Sequence, residues 1–428
     1  MRDDSAPASH SRHDADRTPW EKRLHLSSVR ALYLHIPFCA RKCAYCDFAS
    51  RETARGDASM ERYVDLLCEQ LRQVAGLALL EGCETAYLGG GTPSLLGPEL
   101  LGRLVRAVSD AAPQLLELTC EANPDSLTDD VLAALVAAGA TRLSIGVQSL
   151  QDEELTALGR LHDARTARER VRAAVASGLD VSLDLMCATP KQTDASWRDT
   201  LEQALSLGVG HVSVYPLQIE EDTPLGQAFA DDDPDWNDPE LQARRMLLAS
   251  DLLSSAGFVR YEVASYARPG KACRHNQAYW TGLPYLGLGA ASASMLTPEC
   301  YARLRQAVAS LPELGEDVTR VRLSVASGLS AGSPLPPLSE LACESEFLTE
   351  AQAAAEDLML GMRLSRGVGQ DQLAYARTVL DSERLEKTID HLLSRGLVRW
   401  QGERLAVTRE GWLLGNEVFS SFWDLSQA

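Results

Sequence analysis

From Val29 onward the chain alternates short apolar runs with segments whose apolar residues recur at helical spacing. This alternation constrains the fold more than any other feature, because it predicts repeated βα units and a parallel sheet. The predicted strands are Ala31–His35, Thr85–Gly89, Leu116–Cys120, Arg142–Gly146, Val181–Met186 and His211–Leu217. Each is rich in β-branched residues or leucine. The stretches between them, such as Met60–Leu80 and Asp163–Ser177, carry the helical period. Six such units suit an α/β fold with a curved, incompletely closed barrel. Its functional residues would gather at the C-terminal strand ends.

A chain of 428 residues exceeds one ordinary core and predicts a large domain with a smaller companion. A Gly-, Pro- and Ser-rich stretch from Leu311 to Ser339 reads as a linker. Beyond it, Glu350–Leu364 and Glu383–Arg395 read as amphipathic helices. Leu397–Trp400 and Arg404–Val407 follow as a two-stranded ribbon, with a final helix from near Thr408. The expected division is a disordered tail over 1–28, the barrel over 29–265, a motif segment and linker over 266–345, and a winged-helix-like domain over 346–428. The first 28 residues are polar and lack the apolar region of a secretory signal, so a cytoplasmic location is expected. No run of about twenty apolar residues predicts a transmembrane helix. The 41 basic against 60 acidic residues give a net charge of −19. That balance argues against a nucleic-acid footprint, which needs clustered basic residues. It also favours a packing or partner role for the terminal domain over DNA binding. The acidic run Asp231–Asp235 reads as a solvated loop.

The chemistry concentrates in Cys39, Cys43 and Cys46, spaced C-x3-C-x2-C at the exit of the first predicted strand. A [4Fe–4S] cube ordinarily takes four thiolates. Three therefore leave one iron open to a small molecule. Zinc would want four tetrahedral ligands, usually as two close pairs, and no second CxxC occurs. The other cysteines are scattered singly, as small buried hydrophobes usually are. Three further motifs fall at strand ends. Gly89-Gly-Gly-Thr-Pro-Ser94 follows the second strand, and its glycines would let the backbone approach a ligand and offer N–H groups to it. Glu121-Ala-Asn-Pro124 ends the third. Arg142-Leu-Ser-Ile-Gly-Val-Gln-Ser149 spans the fourth, followed by Leu158-Gly-Arg-Leu-His162, and Asp184 lies in the fifth. A carboxylate, a carboxamide, an arginine and a second carboxylate in that order match what a zwitterionic methionine and a ribose diol require.

The cysteine loop and these motifs resemble the radical S-adenosylmethionine (SAM) enzymes. From Tyr33 to the C-terminus the chain is similar to the oxygen-independent coproporphyrinogen III oxidase-like branch. The resemblance implies a partial (β/α)6 radical SAM barrel in which Cys39, Cys43 and Cys46 ligate a [4Fe–4S] cluster. SAM would chelate the open iron and be cleaved to a 5′-deoxyadenosyl radical by an electron from the cluster. It further implies SAM contacts by Tyr33, Gly90, Gly91, Thr92, Glu121, Gln148, Arg160 and Asp184, with Tyr45 and Phe48 flanking the cluster loop. The oxidases carry another cysteine two residues after the third, where this chain has Phe48. Arg274-His-Asn-Gln-Ala-Tyr-Trp280 is similar to the HNxxYW motif of the HemW-type heme chaperones. That branch implies heme as a third ligand, with His275 as its candidate axial ligand, Cys273 as a competing thiolate, and Tyr279 and Trp280 covering the macrocycle. Without the resemblance, His275 would read as a histidine capping a turn beside packed aromatics. One departure stands out: Ala293 occupies the position of a histidine usual in the family.

The expected function is accordingly that of a heme chaperone serving respiratory proteins, touching membranes only through those recipients. A coproporphyrinogen III oxidase is the runner-up, and a heme store with a merely structural cluster is the third reading. An electron donor would be needed if SAM is cleaved, and the reading leaves room for a homodimer.

Overall fold

A computed structural model describes residues 22–228, 238–326 and 335–427. The acidic run 231–235 and residues 1–21 of the expected tail lie outside the described residues. All six predicted strands form: β1 (Ala31–Ile36), β2 (Thr85–Gly90), β3 (Glu117–Ala122), β4 (Arg142–Gln148), β5 (Asp180–Cys187) and β6 (His211–Pro216). Each pairs in parallel with the next. Between them run helices α1 (Ala58–Gly76), α2 (Gly97–Ala111), α3 (Asp129–Ala138), α4 (Ala164–Ala176) and α5 (Asp194–Ser206), with α6 (Pro239–Ser255) after β6. Their starts are set locally: Thr128 caps α3 by accepting from Val131 N, and Asp163 caps α4 by accepting from Thr166 N.

The sheet does not stop at six strands. It continues through β7 (Val259–Arg260), β8 (Ser265–Ala267), β9 (Tyr285–Leu288), β10 (Ala293–Leu296), β11 (Arg320–Val325) and β12 (Cys343–Leu348). The spatial order is β12-β11-β10-β9-β1-β2-β3-β4-β5-β6-β8-β7. β9 lies parallel to β1, so seven parallel strands curve around the interior, and the outer additions are antiparallel. Helix α7 (Arg274–Trp280) separates β8 from β9.

Two expectations are corrected here. The stretch read as a linker contains β11, whose alternating Arg320, Arg322 and Ser324 lowered its apolar signal although it pairs on both sides. The end of the stretch read as tail is built into the fold: Arg23–His25 forms a helical turn, and buried Arg23 pairs with Asp357. The terminal region holds α8 (Glu350–Met362), α9 (Gln370–Val379), α10 (Ser382–Ser394), a ribbon of β13 (Val398–Gln401) and β14 (Arg404–Val407), then α11 (Arg409–Leu413) and α12 (Gly415–Trp423). Sequence reading missed α9, which begins at Gly369 without a side-chain cap.

One continuous apolar core runs from β1 to α12. Across it, buried Arg320 of β11 pairs with Glu356 at 2.6 Å and Asp357 at 2.7 Å on α8. Removing one partner would strand the others in low dielectric, which is why such clusters fix register.

Candidate functional site

The interior of the barrel is polar. Along β3 to β6, the positions facing inward are Thr119 and Glu121, then Arg142, Ser144, Gly146 and Gln148, then Ser182 and Asp184, then His211 and Ser213, which with the cysteine loop line a cavity of about 510 Å³. A closed (β/α)8 barrel fills this space with branched aliphatics; here it is kept for a ligand. Cys39, Cys43 and Cys46 all line its mouth.

The cysteine loop leaves β1 and is tied down on several sides. Phe38–Cys39 pairs with Arg51–Glu52, Gly91 N donates to Ile36 O at 2.8 Å, and Thr92 N donates to Phe38 O at 2.8 Å. The Arg160 guanidinium donates to Cys43 Sγ at 3.2 Å, Asn123 Oδ1 at 2.7 Å and Gly146 O at 2.6 Å, fastening the loop to the ends of β3 and β4. Thr92 Oγ1 lies 3.6 Å from Cys39 Sγ. Burial pushes the Cys39 and Cys46 thiols above their ordinary range, so a cation in the loop would be needed to hold them as thiolates. Among the described residues no three His, Cys, Asp or Glu side chains are gathered to hold a single metal ion. A cube asks for something different, with each thiolate on its own iron, and three half-buried free thiols around one cavity mouth fit that donor set.

The glycines of Gly89–Gly91 act otherwise than expected. Their N–H groups are not free for an anion: Gly90 N donates to Glu121 Oε2 at 3.1 Å, and Gly91 N is bound within the loop. Glycine is required because the cluster loop presses against it. A Cβ on Gly91 would sit 2.6 Å from Ile36 O and 2.8 Å from Phe38 O, and Gly90 holds φ +105 against the His35 ring.

Glu121 accepts from Tyr87 Oη at 2.8 Å as well as from Gly90 N, and burial raises its pKa to about 7. Asp184 accepts from Ser144 Oγ at 3.0 Å and is likewise raised, first by burial. Gln148 adopts φ +66 where the β4–β5 register shifts between Gly146 and Gln148. Left-handed backbone at a non-glycine costs energy, and such strain clusters where a side chain must be aimed. Tyr45 packs beside Met186, Leu217, Ile219 and Leu225 while lining the same cavity. Tyr33 stands apart. It hydrogen-bonds His35 Nδ1 at 3.1 Å and lines a neighbouring cavity instead.

That second cavity, of about 720 Å³, lies between the β1–β9–β10 edge and α8. It shares Asp47, Phe48, Gly90 and Glu121 with the first. Its walls include Tyr279, Trp280, Tyr285, Met295, Met359 and Arg322, and exposed Ala293 opens onto it. Phe48, 69% exposed, stands at the junction.

His275 is a correction. It is 1% exposed and lines neither cavity. Its Nδ1 is hydrogen-bonded to Thr85 Oγ1 and its Nε2 to Tyr279 Oη, both at 3.0 Å, and its ring stacks on Tyr87 at 5.2 Å. Burial lowers its pKa to about 3. In this structure both ring nitrogens are engaged, the lone pair of the neutral imidazole accepting one of these hydrogen bonds, and neither faces a cavity. His275 packs among aromatics, as the reading made without the resemblance has it, though it is Glu117 and not His275 that caps the turn. Cys273 Sγ lies 3.3 Å from Glu117 Oε1, and burial pushes that thiol up to about 12. Sequence reading also missed Glu117, which accepts from Arg274 N and His275 N and so caps α7 from the barrel floor. It missed Arg142, Ser182 and His211 as cavity residues; the signal was period-2 polarity within apolar strands.

Comparison with known proteins agrees with this geometry. The radical SAM superfamily matches residues 33–204, and the HemN C-terminal domain matches residues 348–414. The former implies SAM and a [4Fe–4S] cluster as cofactors. The heme chaperone HemW of Mycobacterium tuberculosis is 33% identical over 392 residues, covering 90% of this chain and 93% of the relative. HemW of Escherichia coli is 36% identical over 273 residues, covering 62% of this chain and 70% of the relative. Among solved structures, the coproporphyrinogen III oxidase HemN of Escherichia coli superposes with a TM-score of 0.73 at 21% identity, covering 94% of this chain and 92% of that one. It shares the radical SAM fold. No helix among the described residues is long and apolar enough to cross a membrane. The chain belongs to the HemW heme-chaperone family of the radical SAM superfamily.

Proposed function

We propose that this protein is a cytoplasmic heme chaperone that binds heme beside a cluster- and SAM-loaded barrel and passes it to respiratory proteins. Cys39, Cys43 and Cys46 would hold the cluster. Gly90, Gly91, Thr92, Glu121, Gln148, Arg160 and Asp184 would surround SAM, with Glu121 accepting from its amino group and Asp184 from its ribose. A cluster held by these three cysteines would supply one-electron chemistry to SAM, given an electron donor. The chain's own residues fix the loop, chiefly through Arg160.

The observation that carries the heme reading is the second cavity. Its volume of about 720 Å³ is walled by Trp280, Tyr279 and Tyr285, aromatic faces that suit a flat macrocycle, and it shares Phe48 and Glu121 with the first cavity. Arg322 stands at its wall already paired with Glu346 at 3.1 Å and with Glu356 of α8, so a propionate would have to displace one of these carboxylates to meet it. Heme would dock there and not on the His275 imidazole, with α8 covering one face.

The oxidase reading is weakened by Phe48, which stands where the oxidases carry a further cysteine. One anaerobic experiment separates the two. Reconstituted protein is offered coproporphyrinogen III with SAM and reductant, or heme alone. Stable heme uptake without decarboxylation is expected, and stoichiometric decarboxylation would sink the chaperone reading. Transfer to an apo-cytochrome or apo-oxidase from the loaded protein is the functional readout.

A further inference from the structure

The lower half of the first cavity is built from residues that no SAM contact uses. β3 and β4 are in register with Thr119 opposite Arg142, and both side chains face this chamber. Arg142 is 3% exposed and Thr119 0%. Arg142 Nη1 donates to Lys271 O at 3.0 Å, but Nη2 has no hydrogen-bond partner, and neither has Thr119 Oγ1. Two unpartnered groups, one of them cationic, thus lie opposite each other on neighbouring strands of one cavity floor.

A buried guanidinium nitrogen without a partner carries a desolvation cost that proteins rarely leave uncompensated. Among the described residues no carboxylate is hydrogen-bonded to it. Glu117, two residues below Thr119 on the same face, is engaged by the start of α7. Asp184 is engaged by Ser144. The remaining polar groups are also taken: His211 is hydrogen-bonded to Ser182 Oγ at 2.6 Å and to Tyr261 Oη at 2.9 Å, and Asn276 Nδ2 donates to Tyr261 Oη at 3.3 Å. The floor therefore presents one positive charge and one hydroxyl to whatever enters.

We infer that Arg142 and Thr119 form a carboxylate-binding subsite on the barrel floor, opposite the cysteine loop and separate from the SAM contacts. A carboxylate offers two acceptor oxygens to a guanidinium and a neighbouring donor. A dianion such as phosphate is disfavoured, because Glu121 and Asp184 line the same cavity and become anionic as they ionise. A molecule anchored there by its carboxylate would direct its other end toward the SAM half of the cavity. The carboxylate belongs either to a small free acid or to a propionate arm of a porphyrin. The subsite stands on the barrel geometry alone, so its failure would leave the heme reading intact.

The test uses the full chain with its cluster reconstituted anaerobically. Its melting temperature is followed in sodium propionate, in sodium chloride at equal ionic strength, and in neutral propionamide. For a small acid, propionate alone raises the midpoint, by roughly 2 °C near saturation. The rise disappears in Arg142→Gln and shrinks in Thr119→Val. Heme and heme dimethyl ester form the second arm: an Arg142-dependent stabilisation by the diacid alone assigns the carboxylate to a porphyrin arm. Equal responses to propionate, chloride and propionamide, together with equal responses to heme and its ester, overturn the subsite. A response that persists in Arg142→Gln overturns it too. If Arg142→Gln does not fold, Arg142→Lys and Thr119→Val carry the comparison, with a smaller selective response expected in Thr119→Val and full retention in both overturning the assignment.

Discussion

The two cavities meet at Phe48 and Glu121, yet they are made in opposite ways. The barrel cavity is wired before any ligand arrives: Glu121, Asp184 and Arg160 each hold hydrogen bonds that fix their direction. The outer cavity is walled by aromatic rings and two methionines, and its charged residues pair with one another across β11, β12 and α8. A polar, positional site suits a ligand that must be held in one pose, because preorganised dipoles need no rearrangement on binding. An aromatic, thioether-lined site suits a flat ligand that must later leave, since dispersion contacts tolerate small displacements.

The sharpest way to break this contrast is to remove the cluster loop's function while leaving the outer cavity intact. In Cys43→Ala the visible absorption of reconstituted protein should vanish while heme uptake persists. Retained cluster absorption would refute the ligand assignment, and joint loss would show that the cavities do not act separately. Gly91→Ala should come next in size. Its Cβ meets two backbone carbonyl oxygens, so the loop must move, at a cost of about 2–4 kcal/mol by denaturant unfolding. A cost near zero would mean that the loop adapts freely and is not wired.

His275→Ala tests the outer cavity. The substitution leaves Thr85 and Tyr279 without their buried partner and opens a void beside Tyr87, so stability should fall by about 2 kcal/mol. Heme affinity of the protein that remains folded should change little. A stable variant that no longer binds heme would restore His275 as the ligand and remove the contrast.

Glu121 offers a pH test of the inner cavity. Its folded pKa of about 7 lies above the ordinary 4.5, because burial disfavours the charge. A raised acid favours folding below the ordinary pKa, and that contribution is lost as pH rises from about 4.5 through 7. The wild type should therefore lose stability relative to Glu121→Gln across that window, by at most ~3 kcal/mol given that Glu121 faces the cavity. SAM binding should show the reverse trend, since the ammonium of SAM needs the ionised carboxylate. Affinity should fall about tenfold per unit as pH drops below 7, and Glu121→Gln should flatten the curve in calorimetric titrations. A flat wild-type curve would mean that Glu121 does not meet the amino group.

Much of this was legible in the sequence. The six strands were readable because their apolar runs are short, bounded by turns and spaced by helical segments. That the cysteine loop, Glu121, Gln148 and Asp184 would face one cavity was readable because they lie on or just after the parallel strands. Arg160, by contrast, lies beyond β4 and a further helix and reaches back through its hydrogen bonds. What escaped was set by tertiary contacts. β11 has too many arginines to look like a strand, until Arg320 is seen to pair with α8. Arg23 sits in a polar stretch that nothing local distinguishes from a tail. His275 carries a motif that suggests a ligand, but only packing reveals that Thr85 and Tyr279 occupy both of its nitrogens. The inward alternation of Arg142, Ser144 and Ser182 was visible as a pattern, and its meaning depended on knowing that the barrel interior is open.

The smallest expected effect is the most informative about the outer cavity. Ala293 on β10 is exposed and lines that cavity two residues before Met295, at the position where the family resemblance implies a histidine. Ala293→His would place a neutral imidazole against the space assigned to the macrocycle without disturbing any buried hydrogen bond. Heme affinity should rise by about threefold to tenfold, the equivalent of roughly 1 kcal/mol. The Soret absorption should move as nitrogen ligation is gained, and His275→Ala in the same background should leave that shift in place. No change in either affinity or spectrum would put heme outside the cavity between β10 and α8, and the division of labour between the two cavities would have to be redrawn.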